Sequence, residues 1–329
     1  MPEEKLDPKR ILEYHKVLFT VRREIKKVIV GQEGVVNGLL VGMLANGHVI
    51  VEGIPGIAKT LLLRALARST GCKFSRVQFT VDLLPTDITG ITAYTPEKGF
   101  FVVKGPIFAN FVLADEINRA PPKTQSALLE AMQEKQTTIG KETFPMFYPF
   151  FVMATLNPIE SSGVYPLPEA QIDRFLFKLH MGYPDKDEEQ KILKQNINLR
   201  DFEDYNLKPI TTPEIIVRMQ EDTQKIYLSP EIEKYIIEIV QATRKPQEYG
   251  IELGKYIEWG GSPRASIGLF IAAKANALIQ GKNFVTPQHV KEIAHPILRH
   301  RILLNYEGLA DEIKTDSIVS EVLSKVPVP

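Results

Sequence analysis

The chain has 329 residues, 44% of them hydrophobic and 24% charged, with 40 basic residues against 40 acidic ones. That composition excludes wholesale disorder, a collagen-like repeat and a fibre, and the length suits about two domains with a sizeable core. A net charge of zero argues against coating nucleic acid by bulk electrostatics, which needs an excess of Lys and Arg, although a local basic site stays open.

From the amino terminus, MPEEKLDPKR mixes both charge signs and has no apolar core, so no secretory signal is read there. Up to about Tyr183, near-continuous apolar runs alternate with helical patterns. The runs are Gly47–Gly53, Arg76–Thr80, Asn110–Glu116, Phe150–Asn157 and Phe175–Met181. Strands covered on both faces by helices read this way, and strand alternating with helix predicts a parallel five-stranded sheet sandwiched by helices. Helices are predicted over Thr60–Ser69 and Thr124–Glu134. In the second, Thr124, Ala127, Leu128, Ala131 and Met132 repeat at i, i+3, i+4, i+7 and i+8.

Past Tyr183 the strand signal fades. Four helix starts carry a hydroxyl before proline: Thr212-Pro213, Ser229-Pro230, Ser262-Pro263 and Thr286-Pro287. Proline at the first helical position costs nothing, because its missing N–H would be unpaired anyway. Ile232, Tyr235, Ile236, Ile239 and Val240 form one apolar stripe. The reading is an α/β domain over residues 1–183 and an all-α lid over 184–329, with Pro184–Gln190 as the hinge. The longest apolar stretch, Met146–Leu156, contains Pro149 and is too short to span a bilayer, so a cytoplasmic protein is expected. Cys72, the single cysteine, reads as a small apolar residue, and the scattered histidines give no metal-ligand spacing.

The chemistry-bearing motif follows the first strand. Gly53-Ile54-Pro55-Gly56-Ile57-Ala58-Lys59-Thr60 leads into a helix whose first turn includes Leu61, the strand–loop–helix order of a phosphate loop. Gly53 and Gly56 let successive N–H groups face phosphate at the positive end of the helix dipole. Lys59 suits the β and γ phosphates of ATP, or the β phosphate of ADP, and the Thr60 hydroxyl suits Mg²⁺. Ala58 stands where a third glycine is usual and is expected to take a right-handed helical conformation. Asp115 and Glu116, at the end of the third apolar run, suit the magnesium shell and a general base for water. Asn157 can orient that water if its strand lies beside the phosphate-loop strand; a turn asparagine before Pro158 is the alternative. Arg174 reads as an arginine finger reaching a neighbouring subunit, or as a surface partner of Asp173 or Glu169. Arg264, in the first turn of a helix, opposes the helix dipole and needs an anion, either phosphate or a nearby carboxylate.

Taken together, VIVGQE (Val28–Glu33), GIPGIAKT (Gly53–Thr60), QFTVDLLPTDITG (Gln78–Gly90), KGPIFANFVLADEINRAPPKTQSALLEAMQE (Lys104–Glu134), ATLNPIE (Ala154–Glu160), LPEAQIDRF (Leu167–Phe175), GGSPRA (Gly260–Ala265) and HPILRHRI (His295–Ile302) resemble MoxR-type AAA+ ATPases. Ala58 is similar to the usual form in that family. The resemblance implies Walker A roles for Lys59 and Thr60 and Walker B roles for Asp115 and Glu116. It also implies sensor roles for Asn157 and Arg264, an arginine-finger role for Arg174, and an adenine contact for Gly31 and Gln32. Lys59, Arg174 and Arg264 would converge on the triphosphate, with ATP between sheet and lid. An insert over about residues 83–105 and a hairpin over about 136–150, turning at Gly140-Lys141, would line the axial channel of a ring, with Phe100 and Phe101 as candidate contacts. The family further implies a hexameric homo-oligomer, a chaperone-like remodelling or cofactor-insertion role on protein clients, and a partner with a von Willebrand factor A domain. The competing readings are a magnesium-chelatase-like motor subunit, a nucleic-acid-dependent motor and a nucleotide-gated switch.

Overall fold

The structure, a computed structural model, describes residues 6–97, 99–158, 164–195 and 201–329. The first five residues, Lys98 of the insert, and Ile159 and Glu160 of the ATLNPIE motif lie outside the described residues.

Two helices that the apolar-run reading passed over come first, α1 (Pro8–Ile25) and α2 (Glu33–Leu44). Asp7 caps α1, its carboxylate accepting the Lys9 N–H at 2.9 Å. Then follow β1 (Val49–Gly53), α3 (Lys59–Ser69), β2 (Phe74–Gln78), α4 (Pro85–Thr89), β3 (Gly90–Thr95), β4 (Gly99–Lys104), β5 (Phe111–Asp115), α5 (Pro122–Glu134), β6 (Gln136–Ile139), β7 (Glu142–Pro145), β8 (Phe151–Leu156), α6 (Glu169–Ile172) and β9 (Phe177–Met181). Beyond β9 lie α7 (Lys186–Gln195), α8 (Pro213–Gln224), α9 (Pro230–Arg244), β10 (Ile257–Trp259), α10 (Pro263–Ile279), α11 (Pro287–Leu298), β11 (Leu303–Leu304), α12 (Tyr306–Ala310) and α13 (Thr315–Lys325).

The expected five-stranded sheet is present, with order β2-β5-β8-β1-β9 and every pair parallel. Its second strand begins two residues earlier than the apolar run, because pairing with β5 starts at Phe74 opposite Phe111. Side chains alternate between faces as the pleat demands. Val49, Val51, Phe111, Leu113, Phe151 and Met153 join a core with α2 and α3. Ile50, Val112, Ala114, Val152 and Ala154 face a second core built on Leu128, Leu129 and Phe175.

The four helices after β9 that begin with proline, α8, α9, α10 and α11, start where the sequence places them. Ser229 and Ser262 accept N–H groups of their first turns, whereas Thr212 makes no such bond. The lid also carries the β10–β11 pair, too short to leave an alternating signature. Helix α10 is buried on nearly all sides, its run of alanines letting α1, α2, α9 and α11 pack close. The insert is α4 plus the antiparallel β3–β4 hairpin, and the second hairpin is β6–β7 turning at Gly140 with φ 64°.

Candidate functional site

All five strands run the same way, so their carboxyl ends share one edge of the sheet. That edge gathers Gly53, Gln78, Asp115, Asn157 and Met181 within or just past β1, β2, β5, β8 and β9. Because β8 lies between β5 and β1, Asn157 stands beside the phosphate-loop strand and is buried.

The loop itself wraps through left-handed backbone. Gly56 has φ 82°, a conformation glycine adopts freely. At Gly53 an added Cβ would lie 2.6 Å from the Met181 carbonyl oxygen, so the close approach of β9 requires glycine. Ala58 corrects the expectation: its φ is 68° and ψ 26°, left-handed rather than right-handed. A residue with a Cβ holds that geometry at a cost of roughly 1–2 kcal/mol. The curl of the loop, not the first turn of α3, dictates it. Lys59 folds back and donates to the Gly53 carbonyl.

The acidic pair is held by residues the sequence reading did not single out. Thr155, fully buried, donates its hydroxyl to Asp115 Oδ1 at 2.7 Å and accepts the Glu116 N–H at 2.8 Å. Arg76 donates to Asp115 Oδ2 from Nε at 3.1 Å and from Nη2 at 2.7 Å. Gln78 donates to Glu116 Oε2 at 2.9 Å, and Arg119 pairs with the same oxygen at 3.0 Å. Glu116 sits at φ 56°, a strained turn that swings its carboxylate off the strand line. The available signal was the period-2 pairs Arg76/Gln78 and Thr155/Asn157, each on one face of a strand. Only the strand order brings those faces to the acidic pair.

Thr155→Val is isosteric and leaves Asp115 and the Glu116 N–H short of a partner. It lowers stability by about 1–3 kcal/mol, the cost of stranding a buried polar group. Urea denaturation read by circular dichroism checks the shift.

Beside the loop, Glu52 Oε2 takes His180 Nδ1 at 3.0 Å and Lys178 Nζ at 3.1 Å. The hydrogen bond from His180, and then the charge of Lys178, outweigh burial and hold the Glu52 carboxyl down at about 2, against an ordinary 4.5. A depressed carboxyl stabilises the fold fully above its unfolded value and loses that contribution as pH falls towards its folded one. Glu52→Gln therefore costs about 2 kcal/mol at neutral pH, the scale of a hydrogen bond to a charged group. The gap between wild type and variant closes between about pH 4.5 and pH 2, as parallel urea midpoints at stepped pH will show.

Gly31 and Gln32 sit at this edge as well. Gly31 has φ 68°, and a Cβ there would meet the Glu188 carboxylate of α7 at 2.2 Å. Gln32 donates to the Gly182 carbonyl at 2.9 Å. The pair thus ties the start of α2 to the segment leaving β9.

Arg174 and Arg264 stand elsewhere. They line one cavity of about 140 Å³ with His48, Met132 and Gln133. His48 precedes β1, so this cavity lies at the amino edge of the sheet. The five residues of β1, at about 3.3 Å each, separate it from the phosphate loop by roughly 16 Å. Within one chain, therefore, Arg174 and Arg264 stand together but apart from Lys59: the first turn of α10 docks against the segment before β9, at the opposite edge. Arg174 donates to the Leu129 carbonyl at 3.4 Å. The anion beside Arg264 is the carboxylate of Asp173, at 3.9 Å.

Residues 48–177 match the family described as "ATPase family associated with various cellular activities (AAA)", and residues 254–322 match the AAA lid domain. The chain is 47% identical to Chaperone MoxR1 of Mycobacterium tuberculosis, over 93% of this chain and 81% of that protein. The chain belongs to the MoxR family of AAA+ ATPases. Another relative, the uncharacterised YeaC of Bacillus subtilis, is 44% identical over 96% of both chains. Protein MoxR of Methylorubrum extorquens is 29% identical over 93% of this chain. A solved structure from Cytophaga hutchinsonii, described as a candidate ATPase, superposes with a TM-score of 0.90 at 46% identity, covering 98% of this chain and 97% of that one. As a MoxR-family member the chain binds nucleotide and hydrolyses ATP. Among its described residues no helix is long and apolar enough to cross a membrane.

Proposed function

We propose that this chain is a Mg²⁺-dependent ATPase that works as one subunit of a closed ring, hexameric as its family implies, and spends hydrolysis on remodelling protein clients. The observation that carries the reading is the division of the site: phosphate loop and acidic pair at one edge of the sheet, Arg174 and Arg264 together at the other. A head-to-tail ring puts the second edge of one subunit against the first edge of the next. Lys59 and the loop N–H groups then bind the triphosphate, Asn157 orients water, and Glu116 accepts its proton once Gln78 and Arg119 release it. Arg174 and Arg264 of the adjoining subunit neutralise charge building on the γ-phosphate.

Thr60 and Asp115 offer the hard oxygen donors that Mg²⁺ takes, so the donor set fits the ion, provided that Arg76 yields or shares Asp115. Held there by Thr60 and Asp115, the ion would supply positive charge that offsets the charge of the phosphates. Left-handed backbone at Ala58 and Glu116 is consistent with a loop shaped for a ligand.

The name of the M. tuberculosis relative supports the chaperone-like part of the reading. Tyr94 and Phe100, 61% and 79% exposed and packed with tilted rings 5.0 Å apart on the insert hairpin, give it an apolar grip for polypeptide. A separate protein with a von Willebrand factor A domain is the proposed partner. Affinity capture with the Glu116→Gln chain in ATP is the test. Client proteins retained with ATP and released without it support remodelling. An empty trap, or ATPase stimulation by single-stranded nucleic acid that salt abolishes, overturns it.

A further inference from the structure

The segment His295–Ile302 has no role in the site described so far, yet its last residues hold the finger. In the turn after α11, the Arg301 side chain is only 3% exposed. Its guanidinium donates from Nε to Asp173 Oδ1 at 2.7 Å. Nη1 donates to the Ile297 and Leu176 carbonyls at 2.6 and 3.1 Å, and Nη2 to those of Phe175 and Asp173 at 2.7 and 3.2 Å. All five of its donors are thereby spent, four of them on residues 173–176, the short segment that presents Arg174. His300 adds a bond from Nε2 to the Phe175 carbonyl at 3.1 Å.

Asp173 completes the node: its Oδ2 accepts the Ser262 hydroxyl at 2.9 Å and lies 3.9 Å from Arg264. Ser262 is also the N-cap of α10, the helix that carries Arg264. One partly buried ion pair therefore joins the backbone around Arg174 to the cap of the Arg264 helix. Burying an arginine carries a desolvation cost, and apolar packing would stabilise a domain contact as well or better. A planar fork on four carbonyls and a carboxylate instead fixes direction.

We propose that Arg301, through Asp173, is the positioning residue that sets Arg174 and Arg264 jointly for the nucleotide of the adjoining subunit. The proposal rests on the reading that those two arginines act across the subunit boundary. A lid displaced by nucleotide or client would, through the same node, move both arginines together.

The test uses full-length Arg301→Met, Arg301→Lys and Asp173→Asn chains, each assayed for nucleotide binding with a fluorescent ATP analogue and for ATPase turnover. A reacting group misplaced by about 1 Å costs on the order of 100-fold in rate, so that loss is expected for Arg301→Met and Asp173→Asn with binding unchanged. Arg301→Lys keeps charge but not the fork and falls between.

Mixing then separates positioning from folding. Glu116→Gln subunits keep an intact donor edge, and Arg301→Met subunits keep an intact phosphate loop. An equal mixture recovers about a quarter of wild-type turnover, the share of neighbouring pairs that join a sound donor to a sound acceptor. Arg301→Met mixed with Arg174→Ala recovers nothing, because both lesions lie on the donor edge. Arg174→Ala with Glu116→Gln is the control, and its failure to recover sinks the trans reading and this proposal with it. If the control recovers, the proposal is overturned by near-wild-type turnover in Asp173→Asn and Arg301→Met. Inactive variants that bind nucleotide yet gain nothing from Glu116→Gln subunits overturn it too. Should Arg301→Met not fold, Asp173→Asn and Arg301→Lys carry the same comparison.

Discussion

Glu116→Gln lowers ATP turnover by about 10²–10⁴-fold, the range of a lost general base, while nucleotide affinity stays within a small factor. The separation follows from where the residue sits. Glu116 is one position past the end of β5, with its carboxylate held by Gln78 and Arg119, whereas binding rests on the Gly53–Thr60 loop and its helix dipole. Glutamine keeps the shape and the acceptor oxygen for Gln78 and loses only the proton-accepting charge. Steady-state phosphate release alongside equilibrium binding of a fluorescent nucleotide checks both halves. Turnover within threefold of wild type would remove Glu116 from the chemistry, and a matching loss of binding would recast it as a residue that shapes the pocket.

Arg174→Ala lowers turnover by about 10³-fold or more, the scale of an arginine finger, at protein concentrations where the assembly is intact. Its cost in stability is small, since the side chain is exposed and, among the described residues, donates to the Leu129 carbonyl alone, at 3.4 Å. Wild-type turnover per subunit should in turn fall steeply as the protein is diluted through its assembly range, because each phosphate loop then loses the donor edge opposite. Phosphate release measured against concentration, with mass photometry of the same samples, tests this. Constant specific activity down to the monomer would place the charge-stabilising group within the chain and remove Arg174 from that role.

How much of the site could be read from residues alone differs between its parts. The phosphate loop is contiguous, so its spacing survives without knowledge of the fold. Asp115 and Glu116 are recognisable because an apolar run ends on them. Thr155, Arg76, Gln78 and Arg119 were missed for the same reason that they work: they come from β8, β2 and the turn after β5, and only their sideways pairing joins them. At Ala58 local propensity favours the right-handed conformation, but the curl of the loop imposes the left-handed one. The β10–β11 pair left no trace, being three and two residues long.

By itself the sequence determined that the chain is neutral overall, that its first half is a strand–helix alternation and its later part largely helical, and that a phosphate loop follows the first strand. These are properties of neighbours along the chain: apolar period, helix caps and glycine spacing act over a few residues. Only the tertiary structure decided that β8 separates β5 from β1, which brings Asn157 and Thr155 to the loop. It also decided that the first turn of α10 meets the segment before β9 at the far edge of the sheet. Arg301 and Asp173, 128 positions apart, meet there at 2.7 Å. No local rule encodes such a meeting, because the strength of a buried ion pair depends on the desolvated surroundings that the whole fold creates.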